Sequence, residues 1–167
     1  VETLLLTFFN FQKKVDIEFV KTENMITALE NSDYDSEIIN KILREFLITV
    51  CRKSKFEYIS DECNKILSHF KAKNFQNKFL FEPNLHGKTV LMSAATSNDK
   101  RVFTFIWDLH MRSFDNETFI TKFIMPSNKE DFNIFNYAAV SEKEEMFETV
   151  ANVYKNFGFL SAEFEQD

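Results

Sequence analysis

Apolar residues along this chain fall in clusters with helical spacing, and the clusters return at a fixed interval. Val90, Leu91, Ala94 and Ala95 follow an i, i+1, i+4, i+5 pattern, which places them on one helix face. Val102, Phe103, Ile106, Trp107, His110, Met111 and Phe114 continue the same spacing over a longer stretch. Shifting by 44 residues maps Ala94-Ala95 onto Ala138-Ala139, Val90-Leu91 onto Ile134-Phe135, and Val102-Phe103 onto Met146-Phe147. Shifting the other way maps Val90-Leu91 onto Phe46-Leu47, Ala94-Ala95 onto Val50-Cys51, and Val102-Phe103 onto Tyr58-Ile59. Agreement at so many positions in one register marks an internal repeat.

Each unit reads as a short inner helix followed by a longer outer one. The pattern predicts inner helices near 46–53, 90–97 and 134–141, and outer helices near 57–70, 100–114 and 144–157. Residues Ser36 to Lys53 read as one continuous helical pattern, with Asp35-Ser36 as its N-cap step and Glu37 in the first turn. Phe75 to Phe81 and Phe119 to Met125 have helical spacing too, and predict a short extra helix per unit that stops near Pro83 and Pro126. Thr3 to Ile26 reads as a worn earlier unit, with Phe8, Phe9 and Phe11 on one helix and Val15, Phe19 and Val20 on another. The expected division of the single domain 1–167 is therefore 1–34, 35–78, 79–122 and 123–167. Leu91, Ala94, Phe103, Ile106, Phe135 and Phe147 are expected in the core. Ala94 and Ala138 are expected at close helix seams.

Composition supports an all-α chain. There are 21 Phe but only 2 Gly and 2 Pro. Sandwiches, barrels and phosphate-binding loops need many more residues with unusual backbone angles. A net charge of −6 argues against direct nucleic-acid binding, because phosphates must be met by Lys and Arg. No apolar run is long enough to span a membrane. Cys51 and Cys63 form no CxxC pair, so neither a disulfide framework nor a zinc site is expected.

The segment Asn84-Leu85-His86-Gly87-Lys88-Thr89-Val90-Leu91-Met92-Ser93-Ala94-Ala95 resembles the ankyrin-repeat core D-x-x-G-x-T-P-L-H-x-A-A. Gly87, Thr89, Leu91, Ala94 and Ala95 match. Asn84 stands for the Asp, Val90 for the Pro and Met92 for the His. Arg101-Val102-Phe103 and Ile106-Trp107 sit where that family carries E-V-V and L-L. Asp131 to Ala139 is a more worn copy that keeps the Ala pair but loses the Gly and the Thr. The chain thus resembles the divergent, long-period ankyrin repeats found in arthropod proteins. An ordinary unit of that family has about 33 residues. A period of 44 also suits HEAT or armadillo repeats; the Gly87 to Ala95 match favours the ankyrin reading.

The resemblance implies an α-solenoid that binds a protein partner on its concave face, through loop tips and the exposed side of the inner helices. The matching positions are Leu85, His86, Lys88, Thr96 and Ser97 in one unit, and Lys129, Glu130, Phe132, Val140 and Ser141 in the next. Leu85 and Phe132 either contact a partner or tuck beneath the extra short helix. The implied role is non-catalytic, without cofactor or metal, in an intracellular setting that is cytoplasmic rather than nuclear. A small helical enzyme or ligand-binding protein is the alternative. It would need convergent polar groups, and His69, His86 and His110 have no evident catalytic partners in the sequence. His110 is expected at the edge of the core and His69 at the surface. Cys51, Cys63 and Trp107 are expected to pack.

Overall fold

A computed structural model describes residues 22–53, 55–71, 78–124 and 128–158, and these are all-helical. In chain order the helices are α1 (Thr22–Glu30), α2 (Ser36–Lys53), α3 (Phe56–Lys71), α4 (Lys78–Phe81), α5 (Val90–Ala94), α6 (Lys100–Met111), α7 (Asn116–Phe119), α8 (Ile134–Val140) and α9 (Glu144–Asn156). A π-helical segment, Ile120–Ile124, continues α7. The outer-helix boundaries follow the apolar pattern closely. The middle inner helix is shorter than expected, ending at Ala94, and the first is part of the continuous Ser36–Lys53 helix. The worn unit expected over Thr3 to Ile26 lies largely outside the described residues. α1 overlaps its end and buries Met25, Ile26 and Leu29.

The sequence supplies a start signal for most of these helices. Asp35 caps α2, its carboxylate accepting the Ile38 N–H at 2.8 Å. Thr89 caps α5 by accepting the Met92 N–H at 3.1 Å, and Asp99 caps α6 by accepting the Arg101 N–H at 3.0 Å. Each satisfies a backbone donor that the helix itself leaves unpaired, an interaction worth about 1 kcal/mol. Lys143, at the start of α9, makes no such bond.

The helices form two rows. The inner row runs α2, α5, α8 and the outer row α3, α6, α9, with α5 packed between α2 and α8 and α6 between α3 and α9. Val90, Leu91, Ala94, Ala95, Val102, Phe103 and Ile106 are all buried. Ser93, also buried, donates its hydroxyl to the Ile48 carbonyl at 2.5 Å and so bonds α5 to α2.

Four residues differ from their expected burial. Phe147 is 38% exposed and Phe135 only half-buried, because they lie on the far side of the last helix pair, where they rest on each other with ring centroids 5.0 Å apart. His69 is half-buried rather than exposed, and its Nε2 lies 3.0 Å from the Glu30 carboxylate. His110 goes deeper than the core edge. It is fully buried, with its Nδ1–H donating to the Ile106 carbonyl at 2.8 Å, and burial pushes its pKa down to about 4.

Polar residues also hold the extra short helix. Asn40 accepts the Phe79 N–H at 2.9 Å, and Arg44, one turn on, donates to the Pro83 carbonyl and to Glu82 at 3.5 Å. Both side chains lie on α2 and are buried. They fix α4 at its two ends. At the other end of the molecule, the Tyr154 hydroxyl donates to the Ile124 carbonyl at 2.9 Å and ties the π-helical segment to α9.

Candidate partner-binding loops

The loops that precede α5 and α8 are built the same way, residue for residue, at a spacing of 44. Asn84 accepts the His86 and Lys88 N–H groups through its side chain, at 2.9 and 3.0 Å. Asn128 accepts the Glu130 and Phe132 N–H groups, both at 2.9 Å. The Asn84 N–H donates to the Lys88 carbonyl at 2.9 Å, and the Asn128 N–H to the Phe132 carbonyl at 2.8 Å. Each asparagine therefore closes a five-residue loop from inside. Such a side chain is suited to this because it can mimic a backbone turn.

The tip of each loop needs a left-handed residue. Gly87 supplies it in the first with φ +78°, and Asp131 in the second with φ +60°. Glycine takes this conformation freely, and Asp is among the few other residues that take it at modest cost. Space decides which loop needs the glycine. A Cβ at Gly87 would stand 3.0 Å from backbone atoms of Asn128 and Lys129. The second loop also recovers the lost threonine: Asn133 caps α8, and its side chain and that of Asn136 each accept the other's backbone N–H at 3.0 Å.

The two loops touch. The Lys129 N–H donates to the His86 carbonyl at 3.3 Å, which sets the tips side by side. Leu85 is 82% exposed, so it does not tuck beneath a short helix. His86, Lys129 and Glu130 are exposed beside it. Phe132 is 37% exposed and meets the Tyr137 ring edge-on, with centroids 5.9 Å apart.

Lys88 differs from the other tip residues. It is half-buried, its ammonium lies 4.7 Å from the Tyr137 ring centre, and burial lowers its pKa. Tyr137 in turn accepts a hydrogen bond from the Asn128 side chain at 2.7 Å, and burial raises its pKa. Lys88, Tyr137 and Asn128 form a bracket that joins the first loop to the second unit. Nothing in the sequence pattern pointed to Asn128 or Tyr137 beyond their 44-residue register.

The helix-end positions divide. Val140 is 62% exposed, and Thr96 and Ser141 are half-buried. Ser97 does not present itself: it is 1% exposed, and its hydroxyl accepts the Asp99 N–H at 3.2 Å. Ser141 makes the matching bond to the Lys143 N–H at 3.3 Å. Both serines shape the turn between inner and outer helix.

A scan against protein-family models and searches among curated proteins and solved structures find no match to this chain.

A concave feature lies on the outer row. Phe56, Lys100, Arg101, Thr104, Phe105, Asp108 and Thr149 line a shallow cavity of about 460 Å³. Its cations are already engaged. Arg101 meets Asp99 at 2.6 Å and Glu57 at 2.8 Å, and stacks over Phe56 at 4.9 Å. Lys100 meets Glu145 at 3.0 Å. The hydrogen bond to Asp99 raises the Arg101 pKa, and Arg101 in turn lowers that of Asp99. Among the described residues, no group of three or more His, Cys, Asp or Glu could hold a metal ion, and no helix is long and apolar enough to cross a membrane. Cys51 and Cys63 are buried free thiols, and burial raises both pKa values, that of Cys63 to about 12.

Proposed function

We infer that this protein is a non-catalytic protein–protein interaction module, an α-solenoid of divergent ankyrin-like helix pairs that holds a partner protein against its loop tips and inner helices. The observation that carries this reading is the pair of loops closed by Asn84 and Asn128. They are closed by the same hydrogen bonds, joined tip to tip, and project an exposed leucine among charged side chains. A rigid backbone with varied exposed side chains suits recognition, since little conformational freedom is lost on binding. The contact set is Leu85, His86, Lys129 and Glu130 at the tips, with Phe132, Thr96, Val140 and Ser141 alongside. Lys88 contributes by holding the loops together. The free thiols of Cys51 and Cys63 suit a reducing, intracellular setting, which we place in the cytoplasm.

Site-specific photo-crosslinking tests this reading. A photoreactive residue at position 85 captures a protein partner from cell extract, and one at position 108 on the outer row does not. Capture from position 108 alone would move the binding surface to the outer helices and sink the reading.

A further inference from the structure

The last helix pair differs from the middle one on one side. Leu91, Ala95 and Phe103 are at most 1% exposed, with α8 packed on α5 and α9 on α6. At the same register, 44 residues on, Phe135 is half-buried, Ala139 is exposed and Phe147 is 38% exposed. This open side has the composition of a buried seam, with a small residue on the short helix and aromatic rings beside it.

Charge at its edge continues a pattern. The outer helices open with Phe56-Glu57, Lys100-Arg101 and Glu144-Glu145. Ion pairs join consecutive openings: Arg101 meets Glu57 at 2.8 Å, and Lys100 meets Glu145 at 3.0 Å. Acidic and basic openings alternate along the outer row. Glu144 stands exposed at the start of the last outer helix, where the next opening would be basic.

We propose that the face formed by Phe135, Ala139 and Phe147 docks a helix pair of the same kind on a partner chain, one whose outer helix opens with Lys or Arg. A second copy of this chain does not supply that pair. Of the outer helices α3, α6 and α9, only α6 opens with bases, and α5 and α6 are already packed against α2 and α3. This surface is separate from the loop tips, so its failure would leave the loop reading untouched.

The probe is the 167-residue chain extended after Asp167 by a second copy of residues 80–123. That extension keeps the 44-residue register and brings a second Lys100-Arg101 step. The added pair is supplied in the same chain because a lone pair cannot bury its own apolar face, whereas stacked neighbours stabilise each other. The melting temperature rises by several degrees over the unextended chain. Ala139→Glu removes that rise yet leaves the unextended chain nearly unchanged, and Lys100→Glu with Arg101→Glu in the added copy shrinks it. No rise, or a rise that survives Ala139→Glu, overturns the proposal. Two further results also overturn it. If Ala139→Glu lowers the melting temperature of the unextended chain, the chain's own residues already cover the face. If the unextended chain sediments as a dimer that Ala139→Glu dissociates, a second copy occupies it.

Discussion

The middle and last helix pairs have loops closed by the same bonds and helices that start in the same 44-residue register, yet differ in what they bury. Phe103 and Phe147 occupy the same register, but Phe103 is 1% exposed and Phe147 38%. Ala95 is buried and Ala139 is exposed. His110 sits fully buried where the last pair has Tyr154, whose hydroxyl reaches the Ile124 carbonyl. The apolar pattern is thus a property of the unit, while burial is a property of the unit's neighbours. A residue's place in the repeat states which side it is on, and the next pair decides whether that side meets water.

The largest expected effect breaks this comparison directly. Phe103→Ala costs about 3–5 kcal/mol, the usual range for emptying a packed aromatic site. Phe147→Ala costs about 1 kcal/mol, because much of its ring already meets solvent. Equal losses in urea denaturation would mean that the two sides are covered alike.

Acid sharpens the comparison through His110. Its folded pKa, about 4, lies below the ordinary 6.5, so the unfolded chain takes up the proton first as pH falls. The stability held by neutral His110 is full above about pH 6.5 and drains away toward pH 4. A shift of that size corresponds to about 3 kcal/mol. His110→Leu removes this component, so between pH 7 and pH 4 the wild type loses about that much more than the variant. Parallel pH profiles for the two proteins would contradict a buried neutral imidazole.

The smallest effect separates the loop tips. Gly87→Asp costs about 2 kcal/mol, since it adds a left-handed side chain where a Cβ already meets backbone at 3.0 Å. Asp131→Gly changes stability by less than about 0.5 kcal/mol: relieved strain offsets the added freedom of the unfolded chain. Thermal melts of the two exchanges check both signs, and a strongly destabilised Asp131→Gly would show that Asp131 does more than fill a turn.

Most of the helical layout was legible because apolar spacing is a local signal. The outer helices at 100–111 and 144–156, and the continuous helix from Ser36, follow directly from it. The loop chemistry was half legible. Gly87 and Thr89 stand out as matches to the ankyrin pattern, but Asp131 and Asn133 do their two jobs, the left-handed turn and the cap, with different atoms, and a letter-by-letter match reads them as losses. Asn40 and Arg44 were missed because polar residues on a helix carry no periodic signal, although theirs are the bonds that place α4. Phe147 was misplaced for the opposite reason: its pattern is correct and its covering neighbour is lacking among the described residues. Of the ten expected contact residues, Ser97 was misread because a serine just past a short helix serves the turn as readily as the surface.

The most direct test of partner recognition is titration calorimetry with the protein captured through position 85, comparing the wild type with Leu85→Ser combined with Lys129→Glu. Both residues are exposed, so the double variant keeps the wild-type melting temperature within about 0.5 kcal/mol of stability. The loop reading predicts that affinity falls at least about tenfold, the equivalent of about 1.4 kcal/mol. Unchanged affinity in a folded double variant would contradict it.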